Sequence, residues 1–411
     1  MNDHHPNPPN VLLIMQGDPR SSGIGELFVR ELASHYPPGR FVRYTLVAGA
    51  VEGMPDSWLG FPSVTRHVEQ SSLPLLSTWR QHGFDRRSVQ PITNEIDGLV
   101  KQHHIDLIWI GLNSANTVSL AERLVAGRTP VVGIVWDDPE YLFAAQHLDP
   151  WTTRRILRRF ASVLTRFRRV AVASDGMATL YGAKYGVRGI VMIHGIHPSR
   201  WRETTVSRAP KTEYTVGFAG SLHSKREWNS LIAALDDWNR REATRVHVRF
   251  IGRFPRRGAR RAAFVETVGP LSLDASSVSV SSSDVAYVPY WFDRRHAWAA
   301  RTAFPSKISA YVAAGAPVFY HGPRQSSPAD FLQRYPVGLS CHSLAIADIQ
   351  RTLRTLLFDQ ELRASMARAR AIALEERLGT EAFLRQFAEL LGIDRAQLLP
   401  LDTASPSGSR P

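Results

Sequence analysis

Residues 301–318, RTAFPSKISAYVAAGAPV, contain a short helix with an unusual first turn. Pro305 has the fixed φ that suits a first helical position, and Gly315 is the residue type that ends a helix. Lys307 then lies in the first turn, where the positive end of the helix dipole disfavours a cation. The spacing therefore predicts a phosphate or diphosphate held by Lys307, Ser306 and free backbone N–H groups. The alternative is a solvated lysine on an ordinary helix.

Length and composition predict a cytoplasmic protein of two domains. The chain has 411 residues, more than one hydrophobic core usually supports. The single cysteine, Cys341, excludes an intramolecular disulfide framework and is typical of a reducing compartment. The first residues lack the basic and apolar segments of a secretory signal, and no apolar run is long enough to span a membrane.

The charge balance predicts an anionic partner. Fifty Lys plus Arg residues against 37 Asp plus Glu leave a formal net charge of +13. Phosphorylated small molecules, nucleic acid and the anionic face of a membrane are all compatible with this charge.

Apolar runs alternate with helical patterns along the whole chain, which predicts an α/β protein with parallel sheets covered on both faces. Segment 49–89 shows no clear period and is predicted to be irregular. The predicted strands are 11–16, 41–47, 105–110, 131–136, 170–173 and 190–193, then 214–220, 246–252, 284–290 and 317–322.

A polar stretch near 199–212 predicts a linker between two α/β domains. The predicted organisation is a first domain 1–198, the linker 199–212, a second domain 213–379, a final helix 380–396 and a disordered tail 402–411.

The first strand is followed by a glycine loop and a helical pattern. This order resembles a nucleotide-binding unit and makes Gly23 and Gly25 candidate ligand contacts. The spacing of Gly17, Gly23 and Gly25 matches neither the dinucleotide fingerprint nor the P-loop, so an ordinary tight turn is the alternative.

Two clusters of arginine residues stand out. Segment 151–169 is an amphipathic helical pattern with seven arginines and no acidic residue. It predicts a solvated face or peripheral contact with an anionic membrane, and we favour both over nucleic acid. Segment 253–261, RFPRRGARR, begins with Arg253 and follows a predicted strand. It is either a second contact to the anion at Lys307 or a flexible surface loop.

Three segments resemble the GT-B glycosyltransferases, and more closely the glycosyltransferase family 4 type that uses nucleotide-sugar donors. YTVGFAGSLHSKREWNSLIAAL (214–235) is similar to the family's strand, glycine loop and lysine-bearing helix start. FPSKISAYVAAGAPV (304–318) is similar to the family pattern Pro-x-Lys-x-x-Glu-Tyr-x-Ala-x-Gly-x-Pro-Val. HGIHPSRW (194–201) resembles the segment with which the first domain passes to the second.

The resemblance implies two facing Rossmann-like domains with the ligand cleft between them. It also implies that Lys225 and Lys307 bind the donor diphosphate as the catalytic cations. No metal or other cofactor is then required. Further predicted substrate contacts are Gly220, Ser221, Arg253, Ser306 and Ser309, with Gly23 and Gly25 from the first domain. The sequence departs from the family at Ala310, where a glutamate usually holds the ribose, and at Ser221, where an arginine is frequent.

Asp137 and Asp138 follow a predicted strand of the first domain, where the acceptor is expected. Asp138 is a candidate general base, and Asp137 a candidate acceptor contact. Asp before Pro is also a common helix-entry signal, which is the alternative.

These observations predict a glycosyltransferase that moves a sugar from a nucleotide-diphosphate sugar to a glycan, a lipid-linked molecule or a protein. The transfer is expected to be retaining and metal-independent, as in cell-surface polysaccharide assembly, at the inner face of the membrane. Two alternatives remain: a GT-B sugar-nucleotide epimerase, and a GT-B-like binding protein without activity.

Overall fold

The computed structural model describes residues 7–21, 23–52, 57–203 and 211–401. The chain divides into two compact units: residues 1–192 with 384–411, and residues 193–383. The predicted tail 402–411 and half of the predicted linker, residues 204–210, lie outside the described residues.

The first unit is built on a mostly parallel sheet. Among the described residues its strand order is β3-β4-β2-β1-β5-β6-β7-β8, and only the short pair β3 and β4 is antiparallel. The strands are β1 (Val11–Gln16), β2 (Phe41–Val47), β3 (Ser57–Trp58), β4 (Phe61–His67), β5 (Leu107–Gly111), β6 (Val131–Val135), β7 (Arg169–Val172) and β8 (Gly189–Val191).

Helices between these strands supply the crossover connections that parallel pairing requires. They are α1 (Ile24–Ser34), α2 (Pro74–Gly83), α3 (Val89–Gln102), α4 (Ala115–Leu124), α5 (Pro139–Ala145), α6 (Pro150–Leu164) and α7 (Asp175–Tyr185). The central strands β1, β2, β5 and β6 are buried along almost their whole length, as expected for strands covered on both faces.

The second unit repeats the architecture with a parallel sheet of order β11-β10-β9-β12-β13-β14 in the described residues. The strands are β9 (Glu213–Ala219), β10 (Arg245–Ile251), β11 (Val265–Gly269), β12 (Val285–Pro289), β13 (Val318–His321) and β14 (Gly338–Cys341). The helices are α8 (Lys225–Arg241), α9 (Leu273–Ser281), α10 (Ala297–Thr302), α11 (Ser306–Ala313), α12 (Ser327–Arg334), α13 (Ile346–Phe358) and α14 (Gln360–Ala373).

The last helix, α15 (Thr380–Leu391), begins in the second unit, and its residues from Leu384 onward belong to the first. Within the first unit, the Phe387 ring packs 5.0 Å from Trp109 and 6.2 Å from Tyr36, measured between ring centroids. The Leu399 N–H then donates to the His35 carbonyl at 2.8 Å.

The predicted α/β class with two parallel sheets is confirmed. The prediction that 49–89 is irregular is wrong, because this segment holds β4, α2 and the beginning of α3. Strands β11 and β14 were also not predicted. Within the described residues, none of the helices is long and apolar enough to span a membrane.

Candidate functional site

In the second unit, the loops that follow β9 and β10 meet through two glycines. Gly220 follows β9 with φ +106°, and Gly252 follows β10 with φ +140°, a region that side-chain-bearing residues rarely adopt. A Cβ atom on Gly252 would stand 2.7 Å from the Gly220 carbonyl oxygen. The two backbones therefore approach each other more closely than any other residue type at 252 would allow.

Lys225 is the first residue of α8, directly beyond this junction. The preceding Ser224 makes no side-chain capping bond, and its hydroxyl donates instead to the Pro289 carbonyl at 3.3 Å. The exposed Lys225 side chain runs beside Gly258, where an added Cβ would stand 3.2 Å from Lys225 Cδ. The helix thus starts with an exposed ammonium and uncapped N–H groups.

Lys307 occupies the first turn of α11, which begins after Pro305 and also lacks a side-chain cap. The half-buried Lys307 places its ammonium 4.2 Å from the centroid of the Phe218 ring. Burial lowers the pKa of Lys307 from its ordinary value to about 8. No carboxylate lies within ion-pair distance of Lys307 in the described part of the chain.

The two lysines act on a common neighbour, His223. Burial is the main cause that lowers the pKa of this histidine, and the positive charges of Lys307 and Lys225 lower it further. Lys225 follows His223 by two residues, and Lys307 lies over Phe218 of β9, so both lysines belong to the surroundings of this imidazole. Two helix N-termini and two lysines converge at the carboxyl end of β9, an arrangement suited to a phosphate or diphosphate.

Helices α8 and α11 lack a side-chain cap, as do α1, α2, α3, α10 and α13. In other helices a serine or aspartate before the first turn accepts a hydrogen bond from a first-turn N–H, as at Ser114, Asp149, Ser174, Ser272, Ser326 and Asp359. Lysine is also rare, since only five of the 50 basic residues are lysines. Two of these five stand at uncapped helix starts beside the same histidine.

The arginine-rich loop 253–261 is fixed to α8. Trp228 Nε1 donates to the Arg260 carbonyl at 2.9 Å, Asn229 Nδ2 donates to the Gly258 carbonyl at 3.0 Å, and the Arg260 N–H donates to Asn229 Oδ1 at 2.7 Å. Exposed Arg253 opens this loop directly after Gly252. Of the two alternatives left by the sequence, the structure favours a docked loop beside Lys225, and it leaves the ligand role of Arg253 as a prediction.

Tyr311 ties α11 to the end of β9. Its hydroxyl accepts a hydrogen bond from the Ala219 N–H at 2.7 Å and lies 3.3 Å from the Ala219 carbonyl oxygen, to which it donates. Burial raises the pKa of Tyr311, so the phenol stays neutral and able to donate. This tether fixes the position of the α11 start relative to Gly220.

The predicted serine contacts differ in their exposure. Ser221 is exposed beside Gly220, and Ser306 is half-buried at the first helical position. Ser309 faces the core of the unit, and its fully buried hydroxyl has no hydrogen-bond partner among the described residues. Its side chain is not open to a ligand in this conformation. The substrate roles of all three serines stay predictions.

The sequence did not single out four other residues of this site: His223, Gly252, Gly258 and Tyr311. Tyr311 and His223 lie in segments that resemble the family, but no pattern predicted the hydroxyl contact of Tyr311 or a role for His223. Gly252 and Gly258 matter through the meeting of separate loops at the sheet edge, which no local spacing encodes.

In the first unit, Gly23 precedes α1 as its N-cap residue and Gly25 is the second residue of that helix. The first turn of α1 already holds a carboxylate, because buried Glu26 pairs with Arg43 at 2.6 Å. An open cleft of about 540 Å³ lies instead along the loop that begins at Gly17. Gly23 and Gly25 are not among its lining residues, which are mostly polar and include Gln16, Asp18, Arg20, Glu52, Gln70, Asn113 and Gln146.

Asp138 and Asp137 lie between β6 and α5 in different environments. Buried Asp138 uses Oδ1 to accept the Glu140 N–H at 2.9 Å, which is the bond of a helix-entry residue. Asp137 keeps an exposed surface, while partial removal from water raises the pKa of its carboxyl. The structure thus shows the helix-entry alternative for Asp138, and a catalytic role for either residue stays a prediction. No cluster of three or more metal-ligating side chains occurs within the described ranges.

Comparison with solved structures places this two-unit architecture among proteins of GT-B fold. Sucrose-phosphate synthase from Thermosynechococcus elongatus superimposes with a TM-score of 0.68 at 13% identity, over 93% of this chain and 98% of that chain. A UDP-forming α,α-trehalose-phosphate synthase from Burkholderia xenovorans, solved with glucose-6-phosphate, superimposes with a TM-score of 0.62 at 11% identity, over 93% of this chain and 100% of that chain. The lipopolysaccharide outer core galactosyltransferase WaaB superimposes with a TM-score of 0.58 at 12% identity, over 93% of this chain and 99% of that chain.

The chain therefore has the GT-B fold, as the resemblance in its sequence implied. At identities this low the likeness concerns the fold alone. No family model and no curated protein sequence matches the chain.

Proposed function

We propose that the protein is a glycosyltransferase that takes a sugar from a nucleotide-diphosphate sugar bound in the second unit. The observation that carries this proposal is the convergence of Lys225 and Lys307, each at an uncapped helix start, beside His223. A diphosphate matches this arrangement, because its two phosphoryl groups can accept hydrogen bonds and positive charge from both helices. The solved GT-B structures named above include sugar-transferring synthases and a galactosyltransferase, which supports the same class of reaction.

In the proposed reaction, the bond between the anomeric carbon and the diphosphate oxygen breaks, and its electron pair leaves with the nucleotide diphosphate. An acceptor hydroxyl oxygen bonds to the anomeric carbon and gives its proton to the departing diphosphate oxygen. Negative charge grows on the departing diphosphate, where Lys225, Lys307 and two helix N-termini stabilise it. We propose that the lysines supply the cations without a metal.

We further propose transfer with retention of a hexose-type sugar from the donor, in the manner of family 4. A similar GT-B structure, of trehalose-6-phosphate synthase, was described as an enzyme of glycosyl transfer with retention; it matches at 11% identity with a TM-score of 0.60. Retention requires no dedicated base, which agrees with the capping role of Asp138.

The acceptor is proposed to carry a sugar, as a glycan or a lipid-linked or protein-linked saccharide. The cleft of the first unit is lined by carboxylate and amide side chains, among them Glu52 and Gln70, and these groups suit hydroxyl-rich ligands. Its volume of about 540 Å³ is large enough for one or two sugar rings.

A thermal-shift screen against UDP, GDP, ADP and dTDP tests the donor site. A nucleotide present at about 100 times its dissociation constant should raise the free energy of unfolding by about 2.7 kcal/mol. Lys225→Ala and Lys307→Ala should lose most of that stabilisation. Lys101→Ala is the matched control, because this exposed lysine lies on α3 of the other unit.

If no nucleotide stabilises the wild-type protein, the donor site is refuted. If the two lysine variants respond like Lys101→Ala, the diphosphate binds elsewhere. Products from a UDP-sugar alone separate the proposal from epimerisation, because an epimerase forms the isomeric UDP-sugar without any acceptor. A putative UDP-N-acetylglucosamine 2-epimerase from Listeria monocytogenes also shares the fold, with a lower TM-score of 0.53 at 8% identity.

A further inference from the structure

The first unit exposes an unusual set of large apolar side chains on two neighbouring helices. We call it the apolar patch, and it consists of Leu73, Leu75, Trp79 and Trp151, whose exposed fractions are 63%, 86%, 61% and 78%. Leu75 and Trp79 are four residues apart on α2, so they share one helix face. A cluster of this kind on a protein surface marks an interaction site more often than a chance exposure.

A pair of hydrogen bonds holds the two halves of the patch together. Thr78 Oγ1 donates to Asp149 Oδ2 at 2.9 Å, and the Asp149 N–H donates back to Thr78 Oγ1 at 3.0 Å. Thr78 adjoins Trp79, and Asp149 is two residues before Trp151. The start of α6 is therefore fixed against the middle of α2, with both tryptophans on exposed positions beside the junction.

Arginines extend the patch along α6. The exposed face of α6 carries Trp151, Arg154 and Arg158, which are spaced three and four residues apart. The opposite face is buried at Thr152 and Ile156. The Arg154 guanidinium carbon lies 5.9 Å from the Trp151 ring centroid. Arg154 and Arg158 have no ion pair within the described part of the chain.

The cationic surface is narrower than the sequence predicted for 151–169. Arg155 and Arg159 pair with Asp85 at 3.0 and 2.8 Å, and Arg159 also pairs with Glu122 at 3.2 Å. Arg166 donates to the Val125 carbonyl. Arg155 and Arg159 thus connect α6 to its neighbours, and the arginines of α6 that form no ion pair in the described residues are Arg154 and Arg158, next to the apolar patch.

The acidic side chains around the patch are already engaged. Asp149 accepts the N–H groups of Trp151 and Thr152, and these hydrogen bonds together with that of Thr78 lower its pKa to about 2. Asp85 is held by the two arginines on α6, and Glu69 pairs with Arg80 at 3.2 Å. The patch thus combines exposed apolar groups with a net positive border that includes exposed Arg86 and Arg87.

We propose that this patch binds the surface of an anionic lipid bilayer, with Leu75, Trp79 and Trp151 inserted at the headgroup level. Helices that lie in a membrane interface typically have tryptophan and leucine on one face and arginine beside them. The arginines would contact lipid phosphates, which explains why positive charge adjoins an apolar surface. This inference does not depend on the proposed sugar transfer.

Vesicle flotation tests the proposal with phosphatidylcholine vesicles that contain either no phosphatidylglycerol or about a third of it. The wild-type protein should float only with the anionic vesicles. The double variant Leu75→Ser/Trp79→Ser should bind at least tenfold more weakly. Arg154→Gln/Arg158→Gln should weaken binding by more than tenfold, because each basic residue near the surface contributes about fivefold.

Control variants carry exchanges of exposed apolar residues and of exposed arginines on the second unit. Leu273→Ser/Val278→Ser removes two exposed apolar residues of α9, and Arg240→Gln/Arg351→Gln removes two exposed arginines. These variants should float like the wild type, and circular dichroism checks that all variants are folded. Failure of the wild-type protein to float with anionic vesicles would overturn the proposal, as would equal losses in the control variants. A lipid-free dimer in light scattering that Leu75→Ser/Trp79→Ser dissociates would also overturn it, because a second copy would then cover the patch.

Discussion

Lys307 is held in a state that costs stability to maintain. Its ammonium is partly removed from water, and within the described residues only the face of Phe218 is known to stabilise the charge. A cation over an aromatic ring contributes about 1 kcal/mol, which offsets part of the desolvation cost. A residue kept charged at such a cost fits a ligand site better than a structural role.

Replacing Lys307 by methionine should therefore stabilise the ligand-free protein. We expect the free energy of unfolding at pH 7 to rise by about 1–2 kcal/mol, since the apolar side chain fills the same space over Phe218 without a charge to desolvate. Chemical denaturation at pH 7 measures the difference. Lys101→Met should change stability by less than about 0.5 kcal/mol.

The same lysine gives a pH dependence of known sign. Its pKa is about 8 in the folded protein, below the ordinary value of 10.5. Between these two values the unfolded chain binds more protons, so the stability of the wild type should rise with pH from about 8 to 10.5 relative to Lys307→Met. Denaturation midpoints of both proteins across this window measure the effect, and parallel curves would contradict it.

At the scale of single residues, the sequence predicted Lys307 because its signal is local. A cation in the first turn of a helix conflicts with the helix dipole, and this conflict is visible in the sequence alone. His223 and Gly252 carry no such signal. Their importance comes from the apposition of two loops after neighbouring parallel strands, and that apposition depends on strand order.

At the scale of elements, the position of α11 depends on one buried phenol. Tyr311→Phe removes the acceptor of the Ala219 N–H and the donor to the Ala219 carbonyl. We expect a loss of about 1–2 kcal/mol in stability, because a half-buried N–H is left without a partner.

The Tyr311→Phe variant should also bind the nucleotide more weakly, since the first turn of α11 is no longer fixed against Gly220. Isothermal titration with the nucleotide selected by the thermal screen measures this loss. Tyr335→Phe is the matched control, because Tyr335 donates to Glu376 elsewhere in the same unit. Equal losses of affinity in both variants would show a general effect of stability.

The strands that the sequence failed to predict share a physical cause. β4, β11 and β14 contain many half-exposed or exposed positions, whereas β1, β2 and β12 are almost entirely apolar and buried. All three stand at or next to the edge of a sheet, where only part of the strand is covered. An apolar run detects central strands and misses such elements.

At the scale of the whole molecule, each unit should respond to its own ligand. In hydrogen exchange, a bound nucleoside diphosphate should slow amides in 219–229, 252–260 and 305–312, since these segments surround the lysines. Strand β1 of the first unit should exchange at its ligand-free rate. Protection limited to the first-unit cleft around Gln16 and Asn113 would contradict the assignment of the donor to the second unit.

The two-unit α/β organisation followed from chain length and the alternation of apolar and helical segments. The site was predicted only in part, because family resemblance supplied Lys225 and Gly220, while the loop contacts required the fold. Ala310 lies half-buried on α11, and its methyl side chain cannot form the hydrogen bonds that the family glutamate makes to a ribose.

The scarcity of lysine also determines how the protein reacts with amine-modifying reagents. Near pH 8 about half of the Lys307 side chains carry a neutral, nucleophilic amine, whereas a lysine of ordinary pKa remains almost fully protonated. With only five lysines in the chain, acylation of Lys307 yields one peptide that mass spectrometry separates easily from four others. Its rate of acylation would then report occupancy of the site by any phosphate-bearing molecule, without knowledge of the sugar or the acceptor.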